Sequence, residues 1–177
     1  MDILAHGLWA GAAAKGLNKK RVGKPLSFWK TAFWGIFPDL FAFTLGFAWL
    51  FGNLIFGGMS FSDLPRPGEI EPAAQDTLPI FRLTSLLYSI SHSAVIFFIV
   101  FGIIFLILRR PIWELGGWFI HILLDIPTHS YQFYPTPFLW PLSGWKFDGF
   151  SWGTPWFLVL NYSVIVVAYL LLRKKRA

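Results

Sequence analysis

Four histidines and two aspartates lie within apolar sequence: His6, His92, His121, His129, Asp39 and Asp125. The densest group reads His121-Ile-Leu-Leu-Asp125-Ile-Pro-Thr-His129, an H-x-x-x-D-x-x-x-H spacing among Ile, Leu, Trp and Phe. An ionisable group in hydrocarbon costs at least about 2.5–3.5 kcal/mol on insertion scales, so such residues face a cavity and a partner. Imidazole and carboxylate donors suit zinc, manganese or iron. Cysteine is absent, which excludes thiolate ligands, disulfides and thiol nucleophiles. The chemistry on offer is a divalent cation, zinc first, held by nitrogen and oxygen and activating a water.

The residues that must position this group are those of a membrane protein. The chain of 177 residues is 55% hydrophobic, 20% aromatic and only 14% charged, with a mean hydropathy of +0.57. Soluble domains carry about a quarter charged residues. The net charge of +6 could suit nucleic acid, but 12 of the 15 basic residues fall on one side of a simple threading. Lys15, Lys19, Lys20, Arg21, Lys24 and Lys30 precede the first long apolar run, Arg109 and Arg110 separate two runs, and Arg173 to Arg176 follow the last. This is the positive-inside distribution, and it argues against a nucleic-acid partner. It places the loop 15–30 and the basic tail 173–177 in the cytoplasm of a multi-pass inner-membrane protein. No basic region precedes the first apolar stretch, so a cleaved signal peptide is not expected.

The apolar runs are 31–58, 81–108, 112–130 and 153–172, with a shorter stretch at 1–14. They are continuously apolar rather than alternating, which disfavours a β-barrel. The fold expected is an all-α integral membrane protein, one polytopic domain over 1–177. It has about four transmembrane helices plus a short N-terminal membrane-embedded or re-entrant helix. The first run is longer than a ~30 Å hydrocarbon layer needs at ~1.5 Å per residue, so a tilt, or a break at Pro38, is expected. Segments 59–80 and 131–152 read as extracytoplasmic loops. The second is rich in Pro, Gly and aromatic residues, and Trp140, Trp145 and Phe150 are suited to covering an apolar substrate over the cavity. Lys146 in that loop is a candidate phosphate contact.

In this threading, depths counted from the basic side are roughly 13 Å for His6 and Asp39 and 15–27 Å for His121, Asp125, His92 and His129. The group thus occupies the middle and outer half of the layer, with a cavity opening toward the extracytoplasmic face. His121 and Asp125, four residues apart, stack on one helix face, a geometry suited to two ligands of one metal. His129 keeps that face only if Pro127 does not end the helix. A bend there would put it at the mouth of the site, on a loop.

His92, His121 and Asp125 are the core metal ligands expected, with His6 and Asp39 as further ligands or a second site. Asp39 or His129, if not ligating, would serve as general base or acid. Plainer roles exist for each residue alone: an interhelical hydrogen bond for a histidine, a cap at the Pro127 kink for Asp125, a first-turn carboxylate after Pro38 for Asp39. Together they need one another as partners. No phosphate-binding glycine loop, serine nucleophile elbow or haem motif is present.

The order of short motifs resembles a known family. Met1-Asp2-x-x-x-His6-x-Leu8, then Pro38-Asp39, then His92-Ser93, then His121-x-x-x-Asp125 and Leu139-Trp140-Pro141-Leu142 resemble the membrane-bound metal-dependent hydrolases of bacteria and archaea. Their motif logic is similar to that of helical zinc-dependent phospholipases C. The resemblance runs from residue 6 to about residue 142. It implies hydrolysis at a metal, with a lipid or other phosphoester as substrate and the membrane lipid as surroundings. The chain departs from the family where a second acid is replaced by Phe41 and a His-Arg pair by Leu87 and Tyr88. These departures bear on a second metal and on a phosphate-holding arginine, and His129 is a candidate replacement ligand. From the residues alone, a proton- or metal-ion-translocating protein is the competing reading, and a structural membrane subunit a third. The oligomeric state is left open by the sequence.

Overall fold

The computed structural model describes residues 1–20, 24–60, 79–132 and 134–173, which form six α-helices and one 3-10 turn. Helix α1 (Ile3–Lys19) starts where Asp2, in extended backbone, accepts the Ala5 N–H at 3.0 Å. A side-chain acceptor there satisfies a backbone donor that the first turn leaves unpaired. Its buried residues are His6 and the small residues Ala5, Gly7, Ala10, Gly11, Ala12 and Ala14, which let neighbouring backbones approach closely. The helix extends well past the expected 1–14 stretch and packs on α2, α5 and α6.

Helix α2 (Phe28–Phe56) is capped by Ser27 and ends at Gly57, followed by Gly58 at φ +79°. It runs unbroken through Pro38, so the expected break does not occur. Proline removes one backbone donor, and a proline inside an apolar helix is tolerated where neighbours re-satisfy the freed groups. Here helices α1, α3 and α5 pack along α2, and His121 hydrogen-bonds the Gly35 carbonyl one turn before Asp39.

The run 81–108 is two helices, α3 (Pro79–Ser91) and α4 (Ala94–Leu108), bent by 62°. The cause is local. Ser93 takes an extended conformation and its hydroxyl accepts the Ile96 N–H at 3.2 Å, so side-chain capping competes with continuation of the helix. Helix α4 ends at Arg109, which lies in the left-handed region at φ +52°. The run 112–130 becomes a 3-10 turn (Trp113–Leu115) and the 13-residue helix α5 (Gly116–Thr128). At ~1.5 Å per residue α5 is about 20 Å long, too short for a ~30 Å layer. Helix α6 (Pro155–Arg173) closes the chain.

Two helices, α2 and α6, are therefore long and apolar enough to cross a membrane, or three spans if the bent pair α3–α4 is one of them. That is fewer than the four expected, because α5 is too short. The basic ends do gather. Lys19 Nζ donates to the Leu171 carbonyl at 2.9 Å, and the Ser27 N–H donates to Glu114 at 3.3 Å. The start of α2, the turn before α5 and the end of α6 thus share one end of the bundle. Arg21, Arg66 and residues 174–176 lie outside the described residues, as do 61–78 of the proposed loop 59–80.

At the centre α5 lies against α2 at Gly117. A Cβ there would fall on the Thr31 carbonyl and 2.9 Å from the Gly35 nitrogen. Only glycine allows this approach, which brings His121, one turn further along α5, within reach of Gly35.

Candidate metal centre

Four elements deliver the polar group. Helix α1 carries His6, α2 carries Asp39, and α5 carries His121 and Asp125. His92 sits in the break between α3 and α4. His6, His92, His121 and Asp125 are fully buried, and Asp39 and His129 nearly so. The convergence expected from sequence is present for all six residues.

Asp39, His92, His121 and Asp125 each present one ligand atom, and these atoms lie within 4.8 Å of one another. His92 Nε2 is 3.0 Å from His121 Nε2, 3.5 Å from Asp39 Oδ1 and 3.4 Å from Asp125 Oδ2. His121 Nε2 is 3.7 Å from Asp39 Oδ1 and 3.1 Å from Asp125 Oδ2. Four ligands at ~2.0–2.2 Å from a tetrahedral metal are separated by about 3.3–3.6 Å. The five measured edges scatter around that value. The group has the composition and spacing to hold a metal ion.

The tautomers point the same way. His121 Nδ1 lies 2.7 Å from the Gly35 carbonyl, and His92 Nδ1 lies 3.1 Å from the Tyr88 carbonyl and 2.9 Å from the Ser91 hydroxyl. Carbonyl oxygens only accept, so in each neutral ring Nδ1 carries the proton and Nε2 presents a lone pair. Two lone pairs then face each other at 3.0 Å, between two carboxylates. A cation among these four donors turns repulsion into ligation. Carbonyl partners behind ligating histidines also fix ring orientation and raise basicity.

Asp125 uses its two oxygens on different neighbours. Oδ2 faces His92 and His121, while Oδ1 faces His6 Nε2 at 2.8 Å and His129 Nε2 at 3.2 Å, and also contacts the Met1 amino group. The His6 nitrogens make no hydrogen bond among the described residues, so the 2.8 Å approach is close but badly aligned for one. His6 instead stacks on His121, ring centroids 3.6 Å apart. Asp39 Oδ2 is likewise buried without a hydrogen-bond partner among the described residues. Orphaned buried polar atoms in a native core call for an explanation such as an ion.

His129 follows α5 as its C-cap, in extended backbone, with its N–H still bonded to the Asp125 carbonyl at 3.1 Å. Pro127 does not end the helix early; it is the residue before last. His129 Nδ1 lies 2.9 Å from the Tyr134 carbonyl, and Nε2 lies 2.8 Å from the Met1 amino group. It stands at the edge of the site, outside the four-ligand group, and lines a cavity of about 490 Å³ together with Asp39.

Several neighbours carry no sequence signal of their own. Tyr88 stacks on His92 at 3.7 Å and donates to the Tyr134 carbonyl at 2.8 Å. Tyr134 holds the left-handed region at φ +39°, a cost tolerated only where the surroundings over-determine the backbone. Its carbonyl serves Tyr88 and His129 at once. Tyr88 thus lies beside the site. Asp2 is legible as part of a motif but not as the cap of α1, and the Met1 amino group was not anticipated.

The segment after Tyr134 returns onto the end of α5. The N–H groups of Gly149, Phe150 and Trp152 donate to the carbonyls of His129, Pro127 and Thr128 at 2.9–3.1 Å. A Cβ on Gly149 would meet the Pro127 carbonyl group and lie 2.7 Å from the His129 carbonyl oxygen. The expected covering residues differ from those observed. Trp145 is 57% exposed and rests on Phe138, and Phe150 packs on Trp156 and Phe157. Trp152 and Tyr134 line the cavity, and Trp140, Trp145, Phe150 and Lys146 do not. Comparison with protein-family models, curated proteins and solved structures returns no match to this chain.

Proposed function

We propose that this chain is a membrane-embedded, metal-dependent hydrolase acting on a phosphoester of a lipid or other amphipathic molecule. One observation carries the reading: two imidazole Nε2 atoms stand 3.0 Å apart, and carboxylate oxygens of Asp39 and Asp125 lie within 3.7 Å of both. Zinc is the metal that best suits a small cage of two imidazoles and two carboxylates, with manganese or iron as the other candidates. Such a metal supplies a Lewis acid and a water acidified to a pKa near ~7.

The chain's own residues have separate tasks. His92 and His121 are held by the carbonyls of Tyr88 and Gly35, so their Nε2 atoms are aimed before any ligand arrives. Asp39 is the ligand on the cavity side, the side from which a substrate oxygen would approach. His129, oriented by the Tyr134 carbonyl and lining the cavity, takes the proton of the attacking water as that water's oxygen bonds to phosphorus. The bond from phosphorus to the leaving alkoxide breaks, and that oxygen receives the proton taken up by His129, giving an alcohol and a phosphate. Asp125 Oδ1 keeps His6 and His129 in register with the ligand set.

Two further points support the reading. The order of the motifs resembles that of membrane-bound metal-dependent hydrolases. Asp39 and His129 line the cavity while His6, His92, His121 and Asp125 are sealed from solvent, which suits a one-sided pocket better than a translocation path. In this reading the protein lies in the cell membrane with its basic end cytoplasmic.

The test is elemental analysis of detergent-purified wild type, His121→Ala and Asp125→Ala, with phosphate release from a panel of lipid phosphoesters. Wild type should hold stoichiometric metal and release phosphate or an alcohol, and both variants should lose metal and turnover. Wild type that stays metal-free after incubation with zinc, manganese and iron would overturn the proposal.

A further inference from the structure

The cavity that reaches Asp39 and His129 extends away from them along α2, past Phe43, Gly46 and Phe47 to Leu50, with Phe81 and Thr84 of α3 on the facing wall. Asp2, Asp39 and His129 line it together with mostly apolar residues, Thr84 being the polar residue on the α3 wall. Phe47 is 46% exposed and Leu4, at its edge, 63%, and α2 is one of the helices able to cross a membrane. The flank of the cavity therefore opens along the exposed side of a helix long and apolar enough to cross a membrane.

Size then decides what fits. From Asp39 to Leu50 is eleven residues of helix, about 16 Å. An extended hydrocarbon chain of ~1.5 Å bonds advances about 1.3 Å per carbon, so that length matches about 12 carbons. An apolar cavity of ~150 Å³ accepts benzene, about 25 Å³ per CH, so at ~30 Å³ for the bulkier methylene about 490 Å³ holds on the order of 16. A two-chain phospholipid with ~32 chain carbons would need about twice the space. We infer that this cavity is the bed of a single hydrocarbon chain, so that the substrate is a single-chain phosphate ester of about 12–16 carbons that enters from the membrane with its phosphate at Asp39 and His129. This rests on the hydrolase reading for the reaction but not for the binding. Straight alkyl and prenyl chains share this chemistry.

The test uses full-length protein in amphipol with monoalkyl phosphates from butyl to hexadecyl, farnesyl phosphate, and dipalmitoyl phosphatidic acid. A dodecyl phosphate with a terminal diazirine reports the chain's position by crosslinking. The kcat/KM should rise by up to about fourfold per added methylene and flatten near 12–16 carbons, with crosslinks on Phe47, Leu50 or Phe81. Leu50→Trp should move the plateau to shorter chains. Gly46→Leu, midway along the bed, should move it further. Farnesyl against dodecyl phosphate tells a prenyl from a straight-chain substrate. Turnover that ignores chain length, or equals that of dipalmitoyl phosphatidic acid, overturns the single-chain bed and leaves the hydrolase standing. Chain-dependent crosslinking without phosphate release overturns the hydrolase and leaves the bed standing. Absence of both crosslinking and turnover overturns the inference.

Discussion

Replacing Asp125 with asparagine keeps the shape of the side chain and removes its charge, and the geometry predicts an outsized loss of metal. Oδ2 belongs to the ligand set, at 3.4 and 3.1 Å from the two ligand nitrogens, while Oδ1 touches His6, His129 and the Met1 amino group. Zinc sites built from four protein ligands contribute about 10–16 kcal/mol, or roughly 2.5–4 kcal/mol per ligand. Asparagine retains a weak carbonyl donor, so the lower end applies, about 2.5–3 kcal/mol or a hundredfold in Kd. Ser91→Ala removes one of two acceptors behind His92 and should cost closer to tenfold. The assay is competition with a chromophoric chelator on detergent-purified protein, with circular dichroism and gel filtration to confirm that each variant is folded. Metal at about 100 times Kd should add about 2.7 kcal/mol to wild-type stability, and Asp125→Asn should lose that gain at the same concentration. A folded Asp125→Asn protein that binds zinc within threefold of wild type would refute the ligand assignment.

Two further substitutions probe the frame around the centre. Gly117→Ala places a methyl on the Thr31 carbonyl and 2.9 Å from the Gly35 nitrogen. It should cost about 1–3 kcal/mol in detergent unfolding and weaken metal binding through the 2.7 Å His121–Gly35 hydrogen bond; wild-type values for both would sink the packing argument. Asp2→Ala removes the cap on the Ala5 N–H and the acceptor of the Tyr162 hydroxyl. Stability should fall by about 1–2 kcal/mol with metal content intact, and Asp2→Asn should recover most of it.

The polar group was legible because its residues are expensive where they stand. Six ionisable side chains in apolar sequence had to find one another, and the i, i+4 spacing of His121 and Asp125 already placed two on one face. The division of labour was not legible. Which oxygen of Asp125 meets which imidazole, and that His129 lies outside the four-ligand set, depend on the break at His92-Ser93 and on the cap geometry after Thr128. Four spans are not recovered among the described residues for a related reason: hydropathy registers apolar length, whereas α5 is too short to cross and the Ser93 hydroxyl bonding the Ile96 N–H divides the run 81–108 into two helices. At Pro38 the break, one of the two outcomes expected there, does not occur, because the packing of α1, α3 and α5 holds α2 continuous.

The shortness of α5 ties these observations together. A helix of about 20 Å that carries His121 and Asp125 ends beside the buried polar group, and the chain beyond it has to return to satisfy its last carbonyls. The three hydrogen bonds from residues 149, 150 and 152 to the last carbonyls of α5 do this. They require glycine at 149, because any Cβ would strike the Pro127 carbonyl group. They also leave the Tyr134 carbonyl, in its left-handed turn, as the acceptor for His129 and Tyr88. The loop is therefore part of the centre rather than a cover laid over it: the backbone that closes the end of α5 is continuous with the backbone that aims His129.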